Sequence, residues 1–151
     1  MCGKISNWSE WLKLCENLSS VEEEFTKVID SLNAKVRDQK IAEGSWSVKD
    51  ILSHIVGWED EVLKQFQVFL ENPDVDDTYD IDSFNENSVA SRRNNAWNEI
   101  IEELKSIQEE LSAFISTLFQ KDIDAEDRFS EWVEVLIDHY KHHTMQLKKF
   151  N

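Results

Sequence analysis

Hydrophobic residues recur every three or four positions along four long stretches of the chain, which is the spacing of one buried helix face. The first stretch runs from about Asn7 to Lys35, and its apolar positions are Trp8, Trp11, Cys15, Leu18, Val21, Phe25, Ile29 and Leu32. The second runs from Val48 to about Glu71, and its core stripe is Ile51, Ile55, Val62, Phe66 and Phe69. Each stretch predicts one amphipathic helix.

The second helix has a start signal and a stop signal. Ser47 opens the sequence Ser-Val-Lys-Asp, in which Asp50 stands three positions after a capping hydroxyl, as in a capping box. Pro73 ends the helix, because proline disfavours helical backbone in the residue before it. The polar segment 37–46 precedes this helix, and the acidic segment 74–82 follows it.

The last two stretches complete the predicted architecture. From about Ser83 to Phe119 a single long helix is predicted, with its 4-3 alternation at Ile100, Leu104, Ile107, Leu111, Phe114 and Leu118. After the acidic connection 120–127, a fourth helix is predicted from about Arg128 to Lys149. Four amphipathic helices predict an all-α four-helix bundle, a single domain over residues 1–151.

Composition supports this fold and excludes several function classes. The 151 residues include 3 Gly and 1 Pro, which leaves few turn breakers. A net charge of −15 repels phosphate backbones and anionic lipids, so we expect no nucleic-acid partner. No apolar run reaches the roughly 18 residues of a membrane span, and no signal peptide is recognisable. Two cysteines without a disulfide framework suit a reducing cytoplasm, the expected location.

Three of the 4 histidines cluster in the last predicted helix. His139 and His143 are spaced i, i+4, so their imidazoles project from one face and can offer two nitrogens to one metal ion. At about 100° per residue, His143 lies roughly 20° and His139 roughly 60° from the buried-face centre at Leu136. His142 lies roughly 120° away and is predicted to face outward.

A histidine on the core line has two interpretations. Both ring nitrogens must be satisfied, either by a metal ion and an acceptor behind the ring or by buried hydrogen-bond partners alone. The remaining histidine, His54, projects roughly 100° from the stripe centre at Ile55, at the edge of the buried arc beside Trp58. That position suits a third metal ligand or an ordinary surface histidine, and the spacing leaves both open.

Two segments resemble the signatures of one family. Residues 46–55, WSVKDILSHI, are similar to the second-helix signature of the DinB-like (DinB/YfiT) superfamily. Residues 138–147, DHYKHHTMQL, resemble its last-helix signature, His-x-x-x-His-x-x-Gln-aliphatic. The dipeptide Phe84-Asn85, the pair Arg92-Arg93 and the long third helix are also similar to many members.

The resemblance implies an up-down-down-up bundle with a metal site formed by His54, His139 and His143. The ion in such sites is usually assigned as zinc or nickel. Many members resemble thiol-dependent transferases or isomerases that use bacillithiol, mycothiol or glutathione, whereas others resemble metal-dependent hydrolases. Members are commonly dimers, so the resemblance implies a homodimer that acts on a small molecule.

The expected chemistry follows from the ligand set. Three neutral imidazoles leave coordination positions open for water or a thiol, whose pKa a divalent ion lowers. We therefore expect thiol transfer to, or hydrolysis of, a small electrophilic molecule. The alternative is a non-catalytic binding protein, related to stress or damage, that keeps the bundle without turnover.

Further residues are candidates for the pocket. Trp58 and Tyr140 are candidate walls, with plain core packing as the alternative, and Asn85 is a candidate through the resemblance. Glu61, one turn after Trp58, is a candidate general base or a solvated surface carboxylate. Arg93 is a candidate for holding an anionic substrate or thiol carboxylate, or for pairing with neighbouring acids.

Overall fold

The chain is all-helical in the computed structural model, which describes residues 8–41, 46–118 and 128–150. Its five α-helices are α1 (Trp8–Ser31), α2 (Val48–Glu71), α3 (Ile81–Ala90), α4 (Trp97–Leu118) and α5 (Arg128–Lys148). Within these ranges no helix combines the length and the apolar character that crossing a membrane requires.

The bounds predicted for α2 are confirmed, and α5 ends one residue before the predicted Lys149. The first helix was predicted to reach Lys35 but ends at Ser31. The reason is local, because the Asn33 side chain accepts a hydrogen bond of 2.9 Å from the backbone of Lys35 and caps a short 3-10 helix. The predicted start at Asn7 and the connection 120–127 lie outside the described residues.

The capping box that starts α2 is confirmed. The Asp50 backbone donates to the Ser47 hydroxyl at 3.1 Å, and the Ser47 backbone donates to the Asp50 carboxylate at 2.9 Å. Ahead of it, the Ile41 backbone donates to the Trp46 carbonyl at 3.0 Å, which ties the two sides of the α1–α2 connection together. These bonds fix where α2 begins and therefore where its side chains point.

The single long third helix was a wrong prediction. The chain leaves helical geometry at Ser91 and resumes it at Trp97, which separates α3 from α4. The intervening segment contains serine and two asparagines, whose side chains compete with the helical backbone for hydrogen bonds. Arg92 stabilises the break, because its guanidinium donates to the Ser88 carbonyl at 3.0 Å and pairs with Glu103 of α4 at 2.8 Å.

Helix α2 lies at the centre of the packing. It contacts α3, α4 and α5, whereas α1 packs chiefly on α5. Every residue from Ile51 to Glu59 is buried, including polar ones that a surface helix would expose. The largest fully buried side chains of the core are Tyr140, Phe25, Phe66, Phe129, Ile51, Leu52, Ile55, Ile100, Leu111, Leu118, Leu136 and Leu147. Functional groups on α2 are therefore held by neighbours on several sides.

Helices α2 and α3 approach closely at Gly57. A Cβ atom at this position would lie 2.3 Å from the Ser88 hydroxyl oxygen and 2.5 Å from the Ser88 Cβ. Both distances are far inside van der Waals contact, so only glycine allows the observed separation of the two helices. The contact sets the depth at which α3 lies against α2.

We predict that Gly57→Ala destabilises the protein by about 1–3 kcal/mol, because overpacking outweighs the gain in helix propensity of about 1 kcal/mol. Urea unfolding measures this change. In the double variant with Ser88→Gly, both clashing atoms are absent. Its loss of stability should therefore be smaller than the sum of the losses of the two single variants. If the effects of the two substitutions on the free energy of unfolding simply add, the close contact is not the cause of the destabilisation.

A hydrogen-bonded chain of polar groups crosses the core behind α5. The Tyr140 hydroxyl donates to Glu59 of α2 at 3.0 Å and accepts from Gln108 of α4 at 3.1 Å. Glu59 is fully buried, and its second carboxyl oxygen has no partner in the described residues. Glu22 of α1 lies close enough for burial and the Glu59 charge to raise its pKa. Burial likewise raises the pKa of Glu59, so protons are retained here above their usual range.

These carboxyls make stability fall as pH rises. Their folded pKa values, about 9 for Glu22 and about 7 for Glu59, exceed the ordinary 4.5. The folded state then binds more protons than the unfolded chain between these limits, so raising the pH favours unfolding. We predict a loss between pH 7 and 9 of at most about 1.4 kcal/mol per pH unit, which comes from Glu22 because Glu59 makes its contribution mainly below pH 7.

Denaturant unfolding at pH 7, 8 and 9 measures this loss. Glu22→Gln should flatten the dependence. Glu109→Gln is the matched control, because Glu109 is exposed on α4 and lines the same groove between α1 and α4. A wild-type stability that stays level or rises over this interval would contradict the assignment.

Candidate metal centre

Three histidines from two helices meet at one point of the structure. His54 comes from α2, and His139 and His143 come from successive turns of α5, which packs against α2. One ring nitrogen of each lies within 4.8 Å of the others, the only cluster of three potential metal-ligating side chains in the part of the chain described. The Nε2 atoms of His54 and His139 are 2.6 Å apart.

The triad is neutral at physiological pH. Burial, reinforced by the neighbouring imidazoles, lowers the pKa of His54 to about 3 and that of His139 to about 2. Burial also lowers the pKa of His143 to about 4, although the hydrogen bond to Gln146 opposes this shift. Each ring therefore keeps an unprotonated nitrogen, which is the form that binds metal.

The three rings fit a divalent ion after a small opening. Ligand nitrogens of a tetrahedral zinc ion are about 3.3 Å apart, so His54 and His139 must separate by less than about 1 Å. Nδ1 of His143 is 2.8 Å from the Gln146 side-chain oxygen. That bond assigns the proton to Nδ1 and leaves Nε2 free as a ligand, with Gln146 as the supporting acceptor.

His142 lies at the rim. Its side chain is exposed, as the helical projection predicted. Its ring centroid is 4.9 Å from that of His143. It does not belong to the group of three whose nitrogens converge. A cluster that looks uniform in sequence is thus divided by helix geometry into two inward rings and one outward ring.

A cavity of about 600 Å³ opens on the triad, and its walls are mostly apolar. The histidines form one end. Trp58, Val62, Leu136 and Trp132 form the sides, and Ile81 and Val135 stand at the mouth. Its non-histidine polar lining consists of Asn85 and Asp138. The arrangement can hold a small apolar molecule with one end against the imidazoles.

Part of the acidic segment 74–82 packs beside this cavity through the half-buried Asp77 and Tyr79, whereas its other aspartates are exposed. Tyr79 contacts Trp58 and Trp132 edge to face, with ring centroids 5.4 and 5.8 Å apart. Asp77 accepts a hydrogen bond of 3.1 Å from the Trp132 indole, and Asp80 caps α3. The acidic residues therefore act locally, as caps and anchors for the aromatic wall.

The structure brings some predicted pocket residues to the triad and places others elsewhere. Trp58 and Asn85 line the cavity and are joined by a 2.8 Å hydrogen bond from the indole to the amide oxygen. Tyr140 points into the core instead, towards Glu59. Glu61 accepts from the Tyr79 hydroxyl at 3.1 Å and does not line the cavity, and Arg93 is exposed outside it.

Sequence reasoning missed three residues that shape the site. Trp132 stands seven positions before His139, hence on the same face of α5 two turns away, a signal that the spacing contained. Gln146 was noted as part of a motif without a role, although i+3 spacing places it against His143. Trp46 packs on His54 with ring centroids 4.8 Å apart, a contact made by the α1–α2 connection.

Comparison with known proteins agrees with this architecture. A crystal structure of an uncharacterised protein from Escherichia coli UTI89 matches with a TM-score of 0.77 and 14% sequence identity. The match covers 92% of this chain and 91% of that one, and at this identity it shows the fold alone. No curated protein matches. The family model of the DinB superfamily matches residues 7–147, so the chain belongs to the DinB superfamily.

Proposed function

We propose that this protein is a divalent-metal-dependent enzyme that acts on a small electrophilic molecule, by hydrolysis or by transfer of a low-molecular-weight thiol. The observation that carries the proposal is the convergence of His54, His139 and His143 at the end of a small-molecule-sized cavity. Zinc and nickel are the ions we favour, because neutral imidazoles suit both.

The residues present assign separate roles to the ion and the chain. A bound divalent ion supplies Lewis acidity and a lowered pKa for water or a thiol. The three imidazoles would hold it, Gln146 orients His143, and Trp46 packs on His54. The apolar walls exclude water and position the electrophile. Glu61 is tied to Tyr79 outside the cavity, so we propose no general-base role for it.

Further properties belong to the same proposal. Family membership supports an up-down-down-up order for the four long helices and a homodimer as the assembly. The net charge of −15 supports a small-molecule substrate over nucleic acid. The two cysteines without a disulfide framework support a cytoplasmic location.

The rival is a non-catalytic stress or damage-related protein that binds a ligand in the same cavity. The two are separated by assaying metal-loaded protein against an electrophile panel, with and without bacillithiol, mycothiol and glutathione. Thiol-dependent turnover identifies a transferase, and thiol-independent turnover a hydrolase. Ligand binding without turnover of any panel member supports the rival.

We predict that His143→Ala and His54→Ala each weaken metal affinity by at least about 100-fold. Removing a residue that only hydrogen-bonds to a ligand weakens affinity by about 10- to 100-fold, and removing the ligand itself should weaken it more. The measurement is metal content of protein purified without a metal-affinity tag, followed by competitive zinc titration. His142→Ala is the matched control, being an exposed histidine of the same cluster, and should bind metal like the wild type. Loss of metal in the control alone would overturn the ligand assignment.

We also predict that Gln146→Ala weakens metal affinity by about 10- to 100-fold without unfolding the protein, because the proton on His143 loses its acceptor. The same zinc titration, with circular dichroism as the folding readout, measures this effect. Gln146→Glu keeps an oxygen at the same place and should restore affinity. Equal affinities in the wild type and Gln146→Ala would show that the 2.8 Å contact does not orient the ligand.

A further inference from the structure

We propose that the cavity beside the triad selects uncharged, flat aromatic molecules over charged molecules of the same shape. This inference rests on the proposed function, because it names the substrate class of the same site. Three features carry it: the chemistry of the cavity walls, the bonds of the nearby basic side chains and the charge at the two ends of the cavity.

The polar atoms of both indoles in the wall are already bonded. Trp58 donates to Asn85 at 2.8 Å, and Trp132 donates to Asp77 at 3.1 Å. The two rings are inclined by only 28° to one another, with centroids 6.2 Å apart. What they present to the cavity is therefore aromatic and apolar surface, which favours a flat hydrophobic ligand.

No lysine or arginine stands among the described residues that line the cavity. Lys64, two residues after the lining Val62, pairs with Asp60 at 2.8 Å, and Lys141 of α5 is exposed and does not line the cavity. Arg92 pairs with Glu103 at 2.8 Å, and Arg128 donates to the Val75 carbonyl and lies over the Phe69 ring at 5.2 Å. Arg93 is exposed outside the cavity. Without a bound ion, an anion in the cavity would thus be desolvated with no basic side chain as its partner.

A cation is disfavoured for a different reason. The imidazole end of the cavity would carry the charge of a divalent ion, and the walls between the ends offer no carboxylate. Asp138, the one acidic lining residue, is exposed on α5 beside His139. Burial in the cavity therefore costs a charged group of either sign more hydration free energy than it costs a neutral group.

The mouth of the cavity continues the apolar surface. Ile81 and Val135 are large hydrophobic residues with exposed fractions of 52% and 53%, and both line the opening. Such exposure is unusual for a site that admits ions, because ion-binding mouths carry complementary charge. The apolar path from solvent to triad suits an uncharged ligand over its whole length.

The test uses three isosteric probes, 2-naphthamide, 2-naphthoate and 2-naphthamidine, which carry charges of 0, −1 and +1. Dissociation constants are measured by ligand-observed NMR. Naphthamide and naphthoate are compared on chelator-treated protein, so that coordination of a carboxylate to metal cannot contribute, and naphthamide and naphthamidine are compared on zinc-loaded protein, where the charge of the ion acts on the cation. We expect the neutral probe to bind at least about tenfold more tightly than either ion. Trp132→Ala should weaken its binding by about tenfold, and zinc-loaded wild type should retain it.

A charge introduced at the mouth of the cavity provides a second, independent test of the proposal. Val135→Lys should tighten naphthoate binding by about two- to fivefold and weaken naphthamidine binding correspondingly, as expected for a partly exposed ion pair. Val68→Lys is the matched control, because Val68 is a valine with 37% exposure on α2 outside the cavity. Both positions are on helix surfaces, so each variant should fold.

The outcomes separate this inference from the proposed function. Equal or tighter binding of either charged probe by the wild type would overturn the inference, as would equal responses of the two lysine variants. Failure of every probe to bind a protein that takes up stoichiometric zinc would also overturn it and leave the metalloenzyme intact. Selective binding of the neutral probe by a protein that takes up no zinc would support the inference and refute the metalloenzyme.

Discussion

The packing of α2 against α5 is the constraint on which the candidate site depends, because the triad is divided between these two helices. The same pair is joined again by the hydrogen bond from Tyr140 to Glu59. His139 and Tyr140 are consecutive on α5, yet one faces the cavity and the other crosses the core to α2. The Tyr140–Glu59 bond and the His54–His139 contact lie on different sides of α5 and resist both sliding and rotation of this helix, while Trp46 of the α1–α2 connection supports His54.

Much of the architecture was predictable, because buried helix faces leave a regular period in the sequence. The inward position of His143 followed from that period. The position of His54 did not, because it lies off the stripe and is buried only through tertiary contacts with α5 and with Trp46. The break between α3 and α4 was missed for a related reason. No proline or glycine marks it, and the interaction that stabilises it, Arg92 with Glu103, joins residues from two elements.

Charge is strongly partitioned in this molecule. The surface carries the net charge of −15, whereas the cavity is apolar except for its imidazole end and two polar side chains. The core adds a second polar region, the carboxyls of Glu22 and Glu59 around Tyr140, which keeps its protons through burial. Removal from water thus favours the neutral form of the imidazoles and of the carboxyls alike, although the two groups lie at different places in the bundle.

The separation of α3 from α4 divides the site into parts that can change independently. The triad lies on α2 and α5, whereas Ile81 and Asn85 of the cavity wall lie on α3, a helix of 10 residues. The Trp58–Asn85 hydrogen bond holds that helix from within the wall, and two further anchors, the Gly57–Ser88 contact and the Arg92 bonds to Ser88 and Glu103, involve no wall residue. Substitution of Ile81, at the mouth of the cavity, can therefore change which molecules enter while the three imidazoles of α2 and α5 stay in place.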